Sequence, residues 1–161
     1  MRYILLLSTC FSFLGLQASP IDSLQAQSND SASVRSKLIM DFADDYLNKP
    51  YRYGSNGPQS FDCSGFTRYV FGHFGIALPH SSSAMYQRYK SACVPKDSVK
   101  QGDLLFFNGS SSSSIGHVAM VYKIEADKIY MIHAARRGVT IDCLNYSDYY
   151  KRRFVGAARI L

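Results

Sequence analysis

The sequence predicts an α+β domain, with N-terminal helices packed on a mostly antiparallel sheet of about five strands. Three observations carry that prediction. In the first half, apolar residues recur at helical spacing. In the second half, short alternating runs are rich in β-branched and aromatic residues. The two kinds of segment follow one another instead of interleaving, which is the signature of helices on one side of an antiparallel sheet. With 161 residues, 47% of them apolar, the chain has the length of one domain and enough apolar surface for a core.

Residues 1–18 read as a signal peptide. Arg2 precedes the apolar run Tyr3 to Leu7, which Ser8-Thr9-Cys10 interrupts and Phe11 to Leu16 resumes. The stretch is short for a membrane span, and Gln17-Ala18-Ser19 offers a small-residue cut site after Ala18. Export to the periplasm or the exterior is therefore expected. The alternative is lipidation at Cys10, because Leu7-Ser8-Thr9-Cys10 partly resembles a lipobox, and only then would the protein be anchored to a membrane. Residues 19–32 are polar and aperiodic, and a flexible linker is expected there. Residues 33–161 form the domain.

Within it, a first helix is expected from Ser33 to Tyr46 or Leu47, with Val34, Leu38, Phe42 and Tyr46 on one face and Pro50 beyond its end. A second carries the stripe Phe66, Tyr69, Val70 and Phe74 and stops at Gly75. A short third follows Pro79 and opens with Ser81-Ser82-Ser83. Strands are expected at Leu104–Phe107, His117–Tyr122, Lys128–Ala134, Val139–Cys143 and Val155–Ile160.

Cys63 stands where the second helix begins, between Asp62 and Ser64, residue types that favour helix starts. Unpaired N–H groups and the helix dipole favour negative charge there, which lowers a thiol pKa. A lone cysteine is more often a small buried hydrophobe. Two histidines shift that balance. His117 and His133 lie in consecutive strands with a polar turn between them. If the hairpin centres near Glu125, positions summing to 250 face each other, and His117 and His133 become direct cross-strand neighbours. That register needs an odd-length loop, and a one-residue slip would send the two rings to opposite faces.

A thiol, a base and a group to orient the base are the parts of a cysteine nucleophile. The segments that hold them resemble the NlpC family of cell-wall cysteine peptidases. The resemblance rests on Pro50-Tyr51-Arg52-Tyr53-Gly54, Asp62-Cys63-Ser64-Gly65-Phe66, Leu78-Pro79, Gly102-Asp103-Leu104-Leu105-Phe106-Phe107, Gly116-His117-Val118-Ala119, Ile132-His133-Ala134 and Ala157-Ala158-Arg159. It implies a reduced papain-like fold. It also implies Cys63 as nucleophile, His117 as base and His133 as the orienting third residue, with Tyr51 placing a hydroxyl near the thiol and Asp62 and Ser64 flanking a substrate subsite. The substrate implied is peptidoglycan, cut at amide bonds within stem peptides or in cross-links through a Cys63 thioester, by a monomer that needs no cofactor or metal. A cell-wall amidase and an inactive wall-binding module are the alternatives on the same fold. Ser55 departs from the pattern, where a second glycine is common, as does the serine run before His117.

Other readings are weaker. The net charge of +6 is modest, and Arg136-Arg137 and Lys151-Arg152-Arg153 are more simply solvated surface than a binding site. No nucleic-acid motif is present. Cys63, His117 and His133 are ligand types that suit zinc, but they lack C-x-x-C or H-x-x-x-H spacing. His73 and His80 acquire no role. If Cys63 is a free nucleophile, Cys93 and Cys143 remain as a candidate disulfide in an oxidising compartment, although nothing in the sequence places them within bridging distance.

Overall fold

The computed structural model describes the backbone of residues 20–109 and 113–161, and side chains from Asp30 onward. The expected signal peptide, and with it the choice between Ala18 cleavage and Cys10 lipidation, lies outside the described residues. Among those residues, no helix is long and apolar enough to cross a membrane.

Helix α1 spans Pro20–Asp44. It starts thirteen residues before the expected Ser33, so most of the segment read as a linker continues the helix, as propagation from an anchored turn allows. The buried face also differs in part from the expected one, because Phe42 and Tyr46 pack against the core as expected but the two earlier positions do not. Val34 and Leu38 are exposed, whereas Ser36, Ile39, Met40 and Ala43 are buried. Those four positions also have helical spacing, and the serine at its head hid the stripe.

Helix α2, Cys63–His73, is capped by Asp62, whose Oδ1 accepts from the Gly65 N–H at 2.6 Å. The loop before it crosses the helix start so closely that a Cβ on Gly65 would lie 2.1 Å from the Ser55 carbonyl oxygen. That contact explains a glycine two residues after the cysteine. Phe61 and Phe66, fully buried, meet edge to face at 5.2 Å and clamp the helix start from both sides of Cys63. Truncating either would cost about 3–5 kcal/mol. Helix α3, Ser82–Tyr89, is capped by Ser81.

Six strands follow: β1 Cys93–Val94, β2 Leu104–Asn108, β3 Ile115–Glu125, β4 Lys128–Ala135, β5 Gly138–Cys143 and β6 Phe154–Ala158, with helix α4, Asp148–Arg153, before the last. They form one antiparallel sheet in the order β1-β6-β2-β3-β4-β5. The fold class is as the sequence predicts, with β1 as an extra edge strand. Leu104, Phe106, Val118, Met120, Ile132 and Ala134 pack under α1, α2 and α3. Leu105, Phe107, Ala119, Val121, Met131 and Ala157 form a second core on the opposite face, joined by Tyr150 of α4.

The edge strands overturn one expectation. Cys93 is in β1 and Cys143 in β5, at opposite ends of the sheet order. Both are free thiols, as is Cys63. Neighbouring strands lie about 4.8 Å apart, and a disulfide needs Cα atoms within about 7 Å.

The β3–β4 hairpin has a different register from the expected one. Ala126 and Asp127 form a two-residue loop, Ala126 with φ of 53°. Near the turn, Glu125 faces Lys128 and Ile124 faces Ile129, so facing positions sum to 253. Continued unchanged, that odd sum would turn the histidines to opposite faces. A bulge at Tyr122 intervenes, and beyond it Val121 faces Met131 and Met120 faces Ile132, a sum of 252. The even sum returns His117 and His133 to one face, as diagonal and not direct neighbours. Tyr122 turns towards the helical layer, where its hydroxyl donates to Asp44 Oδ2 at 2.8 Å.

Candidate active site

Cys63 opens α2 and is 8% exposed. Its sulfur is hydrogen-bonded by the backbone N–H of Val118, the residue after His117. Burial pushes the thiol pKa up, only partly offset by the Val118 N–H and by the amides of Ser64 and Cys63. The helix start was expected to lower it. Desolvation outweighs the helix here because the sulfur is enclosed by the core.

The histidines approach from the other side. Val118 and Ala134 point to the helical layer, so alternation turns His117 and His133 to the opposite face. There His117 meets Phe107 and Tyr150, with ring centroids 5.8 Å away in each case, and His133 meets Tyr150 at 5.2 Å. The Cys63 helix and the two histidines thus lie on opposite faces of the sheet, and the two sides come together at its end around Gly116.

His117 Nε2 lies 2.9 Å from His133 Nδ1. His133 is fully buried, and its Nε2 lies 2.9 Å from Asp142 Oδ2. The other carboxylate oxygen of Asp142 accepts from Arg137 Nη2. Burial, and then His133, push the His117 pKa down to about 3, against a smaller opposing effect of Asp142. Asp142 is held below its usual value by the His133 hydrogen bond and by Arg137. Burial thus disfavours the charged form of both the imidazole and the thiol.

Two cavities flank this centre and share Tyr51 and Gly116. One, about 330 Å³, is lined by Tyr53, Asp62, Cys63, Ser64 and His80. The other, about 730 Å³, is lined by His117, Arg136, Arg137, Tyr149 and Tyr150. Of the six residues singled out in the sequence, Tyr51, Asp62, Cys63 and Ser64 line the smaller cavity, Tyr51 and His117 line the larger, and His133 is buried behind His117. The Tyr51 hydroxyl is pushed to higher pKa by burial and then by Cys63. Asp62 Oδ1 also accepts from Ser64 Oγ at 3.0 Å, and its Oδ2 accepts from the Gly54 N–H at 2.8 Å and lies 3.7 Å from His80 Nε2.

Sequence reasoning missed Asp142, Arg137, Tyr150 and His80. Asp142 carried a signal, since aspartate is unusual in a strand and alternation sets it on the face of Thr140, the cross-strand partner of His133. Tyr150 lies on a helix that was not predicted, although Ser147 caps it, accepting from the Tyr150 N–H at 3.3 Å. His73 stacks on Phe42, with centroids 3.9 Å apart, and is structural.

Helices packed on a six-stranded antiparallel sheet, with a cysteine at a helix start and a histidine pair at adjoining cavities, define the papain-like class. Residues 48–159 match the NlpC/P60 family, and the chain belongs to that family. Over 118 residues it is 41% identical to the probable endopeptidase p60 of Listeria welshimeri, covering 73% of this chain and 21% of that protein. Over 128 residues it is 30% identical to the murein DD-endopeptidase MepH of Escherichia coli, covering 78% of this chain and 46% of that one. The crystal structure of an NlpC/P60 family protein from Bacillus cereus superposes with a TM-score of 0.68 at 31% identity, over 77% of this chain and 39% of the other. The chain thus spans less than half the length of each of these relatives.

Proposed function

We propose that the chain is an exported cysteine peptidase that hydrolyses amide bonds in peptidoglycan stem peptides or cross-links. The observation that carries this reading is the 2.9 Å contact between His117 and His133, with His117 lining one of two cavities that meet at Tyr51 and Gly116 and Cys63 lining the other. The names of the p60 and MepH relatives support the substrate class. So does the polarity of the cleft, with Asp62 in one cavity and exposed Arg136 in the other. A peptide carrying an amine at one end and carboxylates at the other would lie along that field.

In the mechanism, Cys63 Sγ attacks the amide carbon while its proton passes to His117. Burial disfavours both charged forms at rest, so the ion pair develops as the bond forms. Backbone N–H groups at the start of α2 meet the oxyanion. His117 then protonates the leaving amine, which departs and leaves a thioester on Cys63. Water, deprotonated by His117, hydrolyses the thioester and frees the thiol. His133 accepts the hydrogen bond that orients His117. Asp62 caps the Cys63 helix and presents a carboxylate to the smaller cavity, with Ser64 and Tyr51 beside it.

Digestion of purified sacculi, followed by mass analysis of the released fragments, tests the activity and identifies the bond together. Wild-type protein should release peptide fragments, and Cys63→Ala should release none while keeping its fold. Near-normal release by Cys63→Ala would end the peptidase reading.

A further inference from the structure

We propose that Asp142 is a positioning residue for the cleft. Acting through His133, it decides which nitrogen of His117 carries the proton. The inference rests on the Cys63–His117 reading above and extends it by one residue.

The argument is one of donors and acceptors. An ionised carboxylate only accepts hydrogen bonds, so the 2.9 Å contact between His133 Nε2 and Asp142 Oδ2 requires the proton on Nε2. A neutral imidazole has one N–H, so Nδ1 of His133 is left as an acceptor. That Nδ1 lies 2.9 Å from His117 Nε2, which must then be the donor. The lone pair of neutral His117 is thereby placed on Nδ1, the remaining ring nitrogen and the one free to take the thiol proton. A doubly protonated His133 would do the opposite, because its Nδ1 would donate and push the His117 proton onto Nδ1.

The surroundings make the order hard to reverse. His133 is fully buried, so water does not compete for either nitrogen. Arg137 occupies the second oxygen of Asp142, which keeps the carboxylate ionised and turned. His133 faces Thr140 across the ladder and Met131 faces Asp142, so the β4–β5 register holds Asp142 one diagonal step from His133. The titratable and charged groups around the pair are Asp142 on His133, Arg137 on Asp142, and Tyr51, Arg136, Tyr149 and Tyr150 along the cavity that His117 lines, with Cys63 in the adjoining cavity.

Asp142→Asn distinguishes this role from simple packing. Arg137 donates to one end of the residue, so the asparagine oxygen will turn to Arg137 and its NH₂ to His133. An amide NH₂ donates, which demands a bare Nε2 and moves the His133 proton to Nδ1. Nitrogen-15 spectra of the histidine rings read the tautomer directly. Wild-type protein should show His133 protonated at Nε2 and bare at Nδ1, and Asp142→Asn should reverse it. In parallel, alkylation of Cys63 by iodoacetamide should slow at neutral pH by about 10²-fold or more, in the range of general acid–base and wrong-tautomer losses. Its pH profile should also move upward. Circular dichroism should be unchanged.

Wild-type His133 protonated at Nδ1 would overturn the proposal even if Asp142→Asn failed to fold. So would a folded Asp142→Asn with the wild-type tautomer and alkylation profile. Neither readout uses a cell-wall substrate. A protein that digested no sacculi would refute the proposed function without touching this inference, and a wrong tautomer would leave the peptidase reading standing.

Discussion

His117 and His133 share a hydrogen bond of 2.9 Å although they are not opposite each other in the ladder. Continuing the register beyond the Tyr122 bulge sets His133 opposite Ala119, with His117 two residues further along β3. Diagonal neighbours on one face have Cα atoms about 7–8 Å apart, a gap that two imidazoles can span. The ring centroids are 5.0 Å apart, at 79° to one another.

The two histidines should not be equal. His117→Ala removes the proton carrier, a loss in the range of about 10²–10⁴-fold. His133→Ala removes only its orienting acceptor and should cost less. His133→Asn or His133→Gln should retain more activity than His133→Ala, because an amide oxygen still accepts from His117 Nε2. Turnover measured on a released stem peptide would rank the four variants. A larger loss for His133→Ala than for His117→Ala would reverse the assigned roles.

The bulge can be probed for stability apart from chemistry. Tyr122→Phe deletes the hydroxyl that donates to Asp44 Oδ2, while Asp44 Oδ1 is already buried with no hydrogen bond among the described residues. Leaving that carboxylate without its donor should destabilise the fold by about 1–3 kcal/mol in urea unfolding. Turnover well below the unfolding temperature should be unaffected, since the site-end ladder pairs do not involve Tyr122. A stability equal to wild type would mean that the bond contributes nothing.

Stability should depend on pH at both ends. Burial holds the His117 pKa at about 3, below its usual 6.5, so the unfolded chain binds that proton more readily. The His117 contribution is full above pH 6.5 and is lost as pH falls towards 3. Asp142, depressed from 3.8, adds a loss below that value. Cys63, raised above 9.0, acts in the opposite sense, with stability full below pH 9.0 and lost as pH rises beyond it. The Tm should therefore be flat from about 6.5 to 9 and decline on both sides. His117→Asn should flatten the decline between 6.5 and 3, and an acid limb identical to wild type would assign the loss to other groups.

Asp62→Asn tests two roles of one carboxylate. Its two oxygens accept separately from the N–H groups of Gly65 and Gly54, and an amide has a single acceptor. Asparagine can still cap α2, but Gly54 then loses its partner, and a cost of about 1–3 kcal/mol is expected. If Asp62 also pairs with a substrate ammonium, KM should rise for stem peptides with a free amine and stay level for those whose amine is blocked. Equal KM on both kinds of substrate, with the stability loss alone, would leave only the cap.

Local patterns were sufficient for part of this protein. The segregation of helical and alternating segments determined the α+β class, and the residues around Cys63 determined a capped helix start, because capping and periodicity act within a few residues. The pairing of His117 with His133 was also legible, although the hairpin sum of 250 was not the one adopted. The rest depended on contacts distant in sequence. The register turns on a bulge at Tyr122, whose hydroxyl reaches Asp44 on α1. The buried stripe of α1 was decided by what packs against it, so Ile39 and Met40 are inside and Val34 and Leu38 are outside. The thiol pKa rises because the fold encloses the sulfur, an environment no short segment specifies. Asp142 joins His133 only through the pairing of β5 with β4, and Cys93 and Cys143 are parted only by the strand order. Caps and periodicity are local energies carried by the chain itself, whereas register, burial and strand order are set by packing between segments far apart in sequence.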